Sequence, residues 1–63
     1  MYELHVYYPG DRLPRKTVKA ARAPEAFDRI PQLLAEHDGC ERIVVMVSGV
    51  LLFAVDCHGS RLP

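Results

Sequence analysis

Apolar and polar residues alternate along the first part of the chain in the pattern of β-strands. Leu4 and Val6 alternate with polar and aromatic neighbours, which predicts a first strand over Tyr2–Tyr8. Pro9-Gly10-Asp11 then forms a turn signal. A second strand is predicted over Arg15–Arg22, and because it is polar and basic we expect it at an edge of the sheet, where charge discourages further pairing.

A helical spacing of apolar residues follows the second strand. It predicts a helix over Pro24–Asp38, ended by Gly39, with a stripe made of Phe27, Ile30, Leu34 and His37. Pro31 interrupts this pattern because a proline inside a helix removes one hydrogen bond and clashes with the preceding turn. The sequence leaves two alternatives open, a kink at Pro31 or a regular helix that starts only near Asp28.

The last part of the chain predicts a hairpin with two apolar faces. Its strands are Glu41–Val47 and Val50–Asp56, joined by the two-residue link Ser48-Gly49. Regular pairing from this link places one set of side chains on one face: Arg42, Val44, Met46, Leu51, Phe53 and Val55. The other face then carries Ile43, Val45, Val47, Val50, Leu52 and Ala54. A single helix covers only one face, and we expect it to cover Ile43, Val45, Leu52 and Ala54, unless an inserted residue reverses the assignment.

These elements predict one α+β domain over residues 1–63, with residues 59–63 as a short tail. Its order is ββαββ, a four-stranded, mostly antiparallel sheet with one helix packed on one face. A right-handed crossover favours the strand order 2-1-4-3, with the first and last strands central and parallel. This element order is similar to that of the β-grasp and immunoglobulin-binding bacterial domains. The likeness concerns element order alone and implies no function.

The short length of the chain predicts a marginally stable monomer. A domain of 63 residues buries only about 60% of the surface that its unfolded chain exposes. The composition, 49% hydrophobic and 25% charged, is that of a folded protein rather than a disordered one. No apolar run is long enough to span a membrane and the first residues do not form a signal segment, so we expect a cytoplasmic protein.

The second apolar face of the hairpin suggests a function. A large apolar surface left in water usually marks an interaction site. We therefore expect a small interaction module that homodimerises or docks a partner protein through this face. The candidate interface residues are Val44, Met46, Leu51, Phe53 and Val55.

An uneven distribution of charge gives the first alternative. Residues 12–22 hold five basic and no acidic residues, whereas the rest of the chain holds three basic and eight acidic residues. This segment could bind nucleic acid through Arg12, Arg15 and Lys19, with Tyr7 beside them to stack on a base. The equal totals of eight acidic and eight basic residues argue against a phosphate-driven mode, which depends on the summed field.

A small metal protein or an enzyme is the second alternative. Regular hairpin pairing places Cys40 opposite Cys57 and Glu41 opposite Asp56, with His37 and His58 close to the thiols in sequence. These are zinc-type ligands, but their spacing is not that of a structural zinc site. We expect free thiols, no metal and no cofactor. No phosphate loop or catalytic triad is present in the sequence, so an enzyme is not favoured.

Overall fold

Four strands and one helix form in the predicted order. The computed structural model describes all residues from Met1 to Pro63. The elements are β1 (Tyr2–Tyr7), β2 (Lys16–Ala20), α1 (Ala23–Glu36), β3 (Arg42–Val47) and β4 (Val50–Asp56). The α+β class and the ββαββ order are confirmed.

The strands lie in the order β2-β1-β3-β4, and every neighbouring pair is antiparallel. The predicted order 2-1-4-3 is wrong, because β3 and not β4 pairs with β1. The most deeply buried strand residues explain this arrangement: Leu4 and Val6 on β1 and Ile43 and Val45 on β3 are all inaccessible to solvent. The two central positions thus go to the strands with the most buried side chains. β2 lies at an edge, as its charge predicted.

The helix packs over β1 and β2. Its fully buried residues are Ala26 and Leu33, with Ile30 and Leu34 partly buried beside them. The predicted stripe is therefore only partly correct, since Phe27 remains 46% exposed. The helix starts at Ala23, so a late start near Asp28 is wrong, and Pro31 lies within the helix at an exposed position.

A β-bulge in the second hairpin changes the predicted faces of β4. Val45 is opposite Phe53 but Met46 is opposite Leu51, so Leu52 is an extra residue on β4. One inserted residue reverses the side-chain alternation beyond it. Phe53 and Val55 therefore face the helix, and Ala54 lies opposite Val44 on the outer face, contrary to the expectation for all three.

The last residues of the chain fold back along the free edge of β4. Val55 forms an isolated antiparallel bridge with Arg61. The backbone N–H of Leu62 donates to the Ala54 carbonyl oxygen, with N···O of 2.8 Å. Residues 59–63 are thus paired with the sheet rather than hanging free. The single helix of the fold is too short to cross a membrane.

Candidate interaction surface

The exposed large apolar residues are three consecutive residues of the second hairpin and the separate residues Met1, Leu13, Phe27 and Leu62. We call the three hairpin residues, together with their neighbours on β3, the hairpin patch, which consists of Val44, Met46, Val50, Leu51 and Leu52. Val50, Leu51 and Leu52 are 64%, 61% and 48% exposed, although they are consecutive apolar residues. Met46 and Val44 lie on the outer face beside Leu51, and both are half-buried.

Val50, Leu51 and Leu52 are exposed because of the local backbone conformation around them. The tight turn uses Ser48 at φ of 51° and Gly49 at φ of 79°, which is the left-handed conformation of a type I′ hairpin. Val50 follows this turn directly, and the bulge at Leu52 interrupts the ladder two residues later. Leu51 lies opposite Met46 on the outer face, which the helix does not cover. Val50 lies opposite Val47 on the helix face, but the helix packs over β1 and β2 and does not reach it.

The two edges of the sheet differ in charge. The edge strand β2 carries the exposed residues Lys16 and Lys19, which discourage pairing with another strand. β3 and β4 together hold no charged residue between Ile43 and Val55. The β4 side is therefore the one that offers an uncharged surface.

The chain covers only part of the β4 edge. Asp56 holds the turn, because its Oδ1 accepts the backbone N–H groups of His58 and Ser60 at 2.9 Å each. These bonds hold the pKa of the Asp56 carboxyl below its ordinary value of 3.8. From this turn Arg61 extends its guanidinium over the Phe53 ring, 4.3 Å from the ring centre. The tail therefore accompanies residues 54–56 and leaves Val50–Leu52 unpaired with it.

A polar strip borders the hairpin patch on the outer face. Glu3 lies opposite Met46 and His5 opposite Val44, and His5 Nε2 is 2.8 Å from Glu3 Oε1. This hydrogen bond lowers the pKa of Glu3 below its ordinary value of 4.5. Apolar residues rimmed by polar ones are the usual anatomy of a protein interface.

Of the five predicted interface residues, the structure brings three together. Val44, Met46 and Leu51 share the outer face, whereas Val55 is in the core and Phe53 packs against the helix with its ring 5.9 Å from that of Phe27. The sequence interpretation missed Val50 and Leu52, since regular pairing placed both on the helix face. Val50 does lie on that face, opposite Val47, but it is exposed, and Leu52 is the extra residue of the bulge. The uninterrupted apolar run from Val50 to Val55 gave no signal of the bulge.

The predicted nucleic-acid residues do not converge on one surface. Arg15 pairs with Asp11 at 3.1 Å and lies over the Tyr8 ring, 4.1 Å from its centre. Tyr7 is covered by a different cation, Arg42 of β3, at 4.3 Å.

The other two members of that set remain exposed but separate. Lys19 shares the outer face with Glu3, which is its register partner on β1. Arg12 lies in the loop before β2. The arrangement offers neither a free aromatic ring nor a continuous basic strip, and nucleic-acid binding stays an untested prediction.

The two cysteines are both free thiols. Cys40 is buried, and burial together with the nearby Cys57 raises its pKa above the ordinary 9.0. The bulge shifts the pairing so that Asp56 lies opposite Arg42, and the expected Glu41–Asp56 pair does not form. The structure contains no group of three or more His, Cys, Asp or Glu side chains placed to hold a metal ion.

Comparisons with protein-family models, with curated proteins and with solved structures gave no match to this chain.

Proposed function

We propose that this protein is a small interaction module that forms a homodimer through the hairpin patch. The observation that carries the proposal is the exposure of three consecutive apolar residues, Val50, Leu51 and Leu52, on an uncharged corner of the sheet. Large apolar side chains grouped in water are unusual in a monomer and mark interaction sites.

The energetics of a small chain favour association. Only nine residues are buried in the monomer, so its core is small. Each leucine that moves from water into an interface gains roughly 1.5–3 kcal/mol when it is fully buried. Folded domains are stable by only about 5–15 kcal/mol, so burying Leu51 and Leu52 is a substantial addition, although association entropy offsets part of it.

The charge pattern favours a second copy over an unrelated partner. A two-fold contact places the same surface of both copies face to face, and like charges there would repel. The hairpin patch has no charge, and the whole chain carries eight acidic and eight basic residues, so two copies approach without net repulsion. Selection of a different partner usually relies on complementary charges, which this patch does not offer.

The size of the patch sets a limit on the contact. A stable interface buries about 800 Å² on each partner. The accessible surface of this chain is 4175 Å², so the dimer would have to bury close to a fifth of it. The patch must therefore be joined by its polar rim at Glu3 and His5, which leads us to expect a reversible dimer rather than a permanent one.

The test is the mass of the protein in solution. Sedimentation from low-micromolar to millimolar concentration should show a reversible change from the 7.1 kDa monomer to twice that mass. Leu51→Lys should stay folded, because Leu51 lies outside the core, and should remain monomeric throughout.

Gln32→Lys is the matched control, since it adds the same charge at an exposed position on the helix, away from the outer face of the sheet. This variant should dimerise like the wild type. A wild-type protein that stays monomeric at millimolar concentration would refute the proposal, and so would equal loss of dimer in both variants.

A further inference from the structure

Two thiols lie at the open end of the second hairpin, opposite its turn. Arg42 and Asp56 are the last paired residues of β3 and β4 at this end. Cys57 directly follows Asp56, and Cys40 lies two residues before Arg42. Continued by one step, the register places Cys57 opposite Glu41. The bulge therefore offsets the two cysteines by one residue from the direct pairing that the sequence predicts.

This offset keeps the two cysteines within the reach of a disulfide. Disulfides join residues whose Cα atoms are about 4.4–6.8 Å apart. Directly opposite residues of an antiparallel pair are about 4.5–5.5 Å apart, and one residue along the strand adds about 3.4 Å at right angles, which gives about 6 Å for the two Cα atoms. Both side chains also pack on the same core, since Cys40 belongs to the buried cluster and Cys57 packs against it.

The two thiols differ in their access to solvent. Cys40 is 4% exposed, whereas Cys57 is only half-buried. Burial, with the nearby Cys57 as the second cause, raises the pKa of the Cys40 thiol above its ordinary value of 9.0. Because the thiolate is the nucleophile, Cys40 is not the thiol that first reacts with a reagent from solvent, and this role falls to Cys57.

We propose that Cys40 and Cys57 form a redox modification site, which a hydroperoxide converts into an intramolecular disulfide. In the first step the Cys57 sulfur attacks one oxygen of the hydroperoxide. An S–O bond forms, the O–O bond breaks, and the thiol proton leaves with the other oxygen as water or an alcohol.

In the second step the Cys40 sulfur attacks the sulfur of the Cys57 sulfenic acid. The S–S bond forms, the S–O bond breaks, and the hydroxide leaves with the Cys40 proton as water. Two thiols are thereby oxidised by two electrons, and one hydroperoxide is reduced by two.

The disulfide joins the loop between α1 and β3 to the turn between β4 and the C-terminal residues. It closes a ring over residues 40–57, which limits the conformations of the unfolded chain and so stabilises the folded one. The exposed residues of the hairpin patch lie at the other end of this hairpin, so the reaction needs no second copy of the chain.

The test is the reaction of the reduced, full-length protein with hydrogen peroxide at neutral pH, followed by intact mass under denaturing, non-reducing conditions. The product should be a monomer that has lost two hydrogen atoms, has no thiol left to alkylate and returns to the starting mass with dithiothreitol. Its urea midpoint should be higher than that of the reduced protein. Before oxidation, an alkylating reagent should modify Cys57 about tenfold faster than Cys40, since access controls thiol reactivity.

Single variants separate the roles of the two thiols. In Cys40→Ser the reaction should stop at the sulfenic acid of Cys57, which dimedone traps as a stable adduct. Cys57→Ser is the matched control, since it keeps only the buried thiol, and it should give no adduct under the same conditions. If Cys40→Ser fails to fold, Cys40→Ala avoids the buried hydroxyl, and the mass of the wild-type product tests the disulfide without any variant.

Five results would each overturn the inference. Peroxide could leave both thiols free, oxidise Cys57 to the sulfinic acid without a disulfide, or join two chains instead of one. Dimedone could give equal adducts in Cys40→Ser and Cys57→Ser, or the oxidised protein could have a urea midpoint no higher than that of the reduced protein. The dimer is measured on the reduced protein, so none of these results bears on it.

Discussion

Asp56 is the residue that turns the chain back onto its own sheet. Its carboxylate accepts two backbone N–H groups, from His58 and Ser60, and its own backbone N–H donates to the Ser60 carbonyl oxygen at 2.9 Å. Because the bonds to the carboxylate favour its ionised form, the pKa in the folded state lies below the unfolded value. The stabilisation is therefore present above the unfolded pKa and is lost as pH falls through the folded one.

The lowered pKa of Asp56 gives a prediction for the C-terminal residues 59–63. Acidification through the pKa of Asp56 should release residues 59–63, seen as a lower protection factor for the Leu62 amide, its exchange being compared with that of an unstructured chain at the same pH, while the amides of Leu4 and Ile43 stay protected. In Asp56→Ala the Leu62 amide should have a low protection factor at every pH, because no carboxylate stabilises the turn. Asp38→Asn removes an exposed carboxylate elsewhere and should behave as the wild type. A protection factor of Leu62 in Asp56→Ala equal to that of the wild type at neutral pH would contradict the role assigned to Asp56.

At the scale of elements, the bulge on β4 decides which side chains enter the core. With Leu52 as the extra residue, Phe53 and Val55 face the helix while Leu51 remains on the outer face beside Met46. Deletion of Leu52 would restore regular pairing and leave every other side chain of β4 on its present face of the sheet.

Deletion of Leu52 should therefore leave the fold intact. The free energy of unfolding should change by about 1 kcal/mol or less, the range of surface changes that leave the core untouched. Deletion of Ala54 is the matched control, because it shortens β4 equally but moves a large side chain off the helix face. Val55 turns outward if the bulge stays, and Phe53 turns outward if the bulge is lost, so the free energy of unfolding should fall by about 2–5 kcal/mol. Urea denaturation measures both. Equal effects of the two deletions would show that the bulge is not at Leu52.

The same hairpin shows how far the sequence predicts this structure. Alternation in Tyr2–Tyr7 and the β-branched run Ile43–Val47 identify strands, and the charge of β2 identifies an edge. The sequence contains no signal for the bulge, because the residues on both sides of Leu52 are apolar. The register with the bulge and the register without it both give an apolar face. Strand order was also out of reach, because it depends on which strand packs beside β1 after the crossover and not on the pattern within any strand.

The candidate surface was predicted in part for the same reason. Val44 and Met46 lie on β3, which has no bulge, and Leu51 lies on β4 between the turn and the bulge. The sequence therefore predicts the sheet face of all three residues correctly. Phe53 and Val55 lie beyond the bulge and were misplaced. Phe53→Lys should therefore destabilise the monomer rather than separate two copies, because Phe53 packs against Phe27.

At the scale of the whole molecule, charge and core size act together. The acidic and basic totals are equal, and the cations of residues 12–22 are partly engaged, with Arg15 held by Asp11 and Tyr8. A neutral surface promotes association more readily than a highly charged one. Nine buried residues form a core that gains from any further burial, and the uncharged corner at Val50–Leu52 is the place where the fold offers it.

If dimer formation contributes to stability, the stability must depend on protein concentration. A partner that binds only the folded state stabilises it by mass action. Above the dissociation constant of the dimer, each tenfold rise in concentration should add about 1.4 kcal/mol per mole of dimer. The urea midpoint of the wild type should therefore rise with concentration once the mass has begun to double, whereas the midpoint of Leu51→Lys should stay constant. The Gln32→Lys protein should follow the wild type. The urea midpoint of the wild type could instead stay constant over the concentrations at which sedimentation detects the dimer. That result would show that the copies associate without stabilising the fold, and that burial of the exposed leucines does not compensate for the small core.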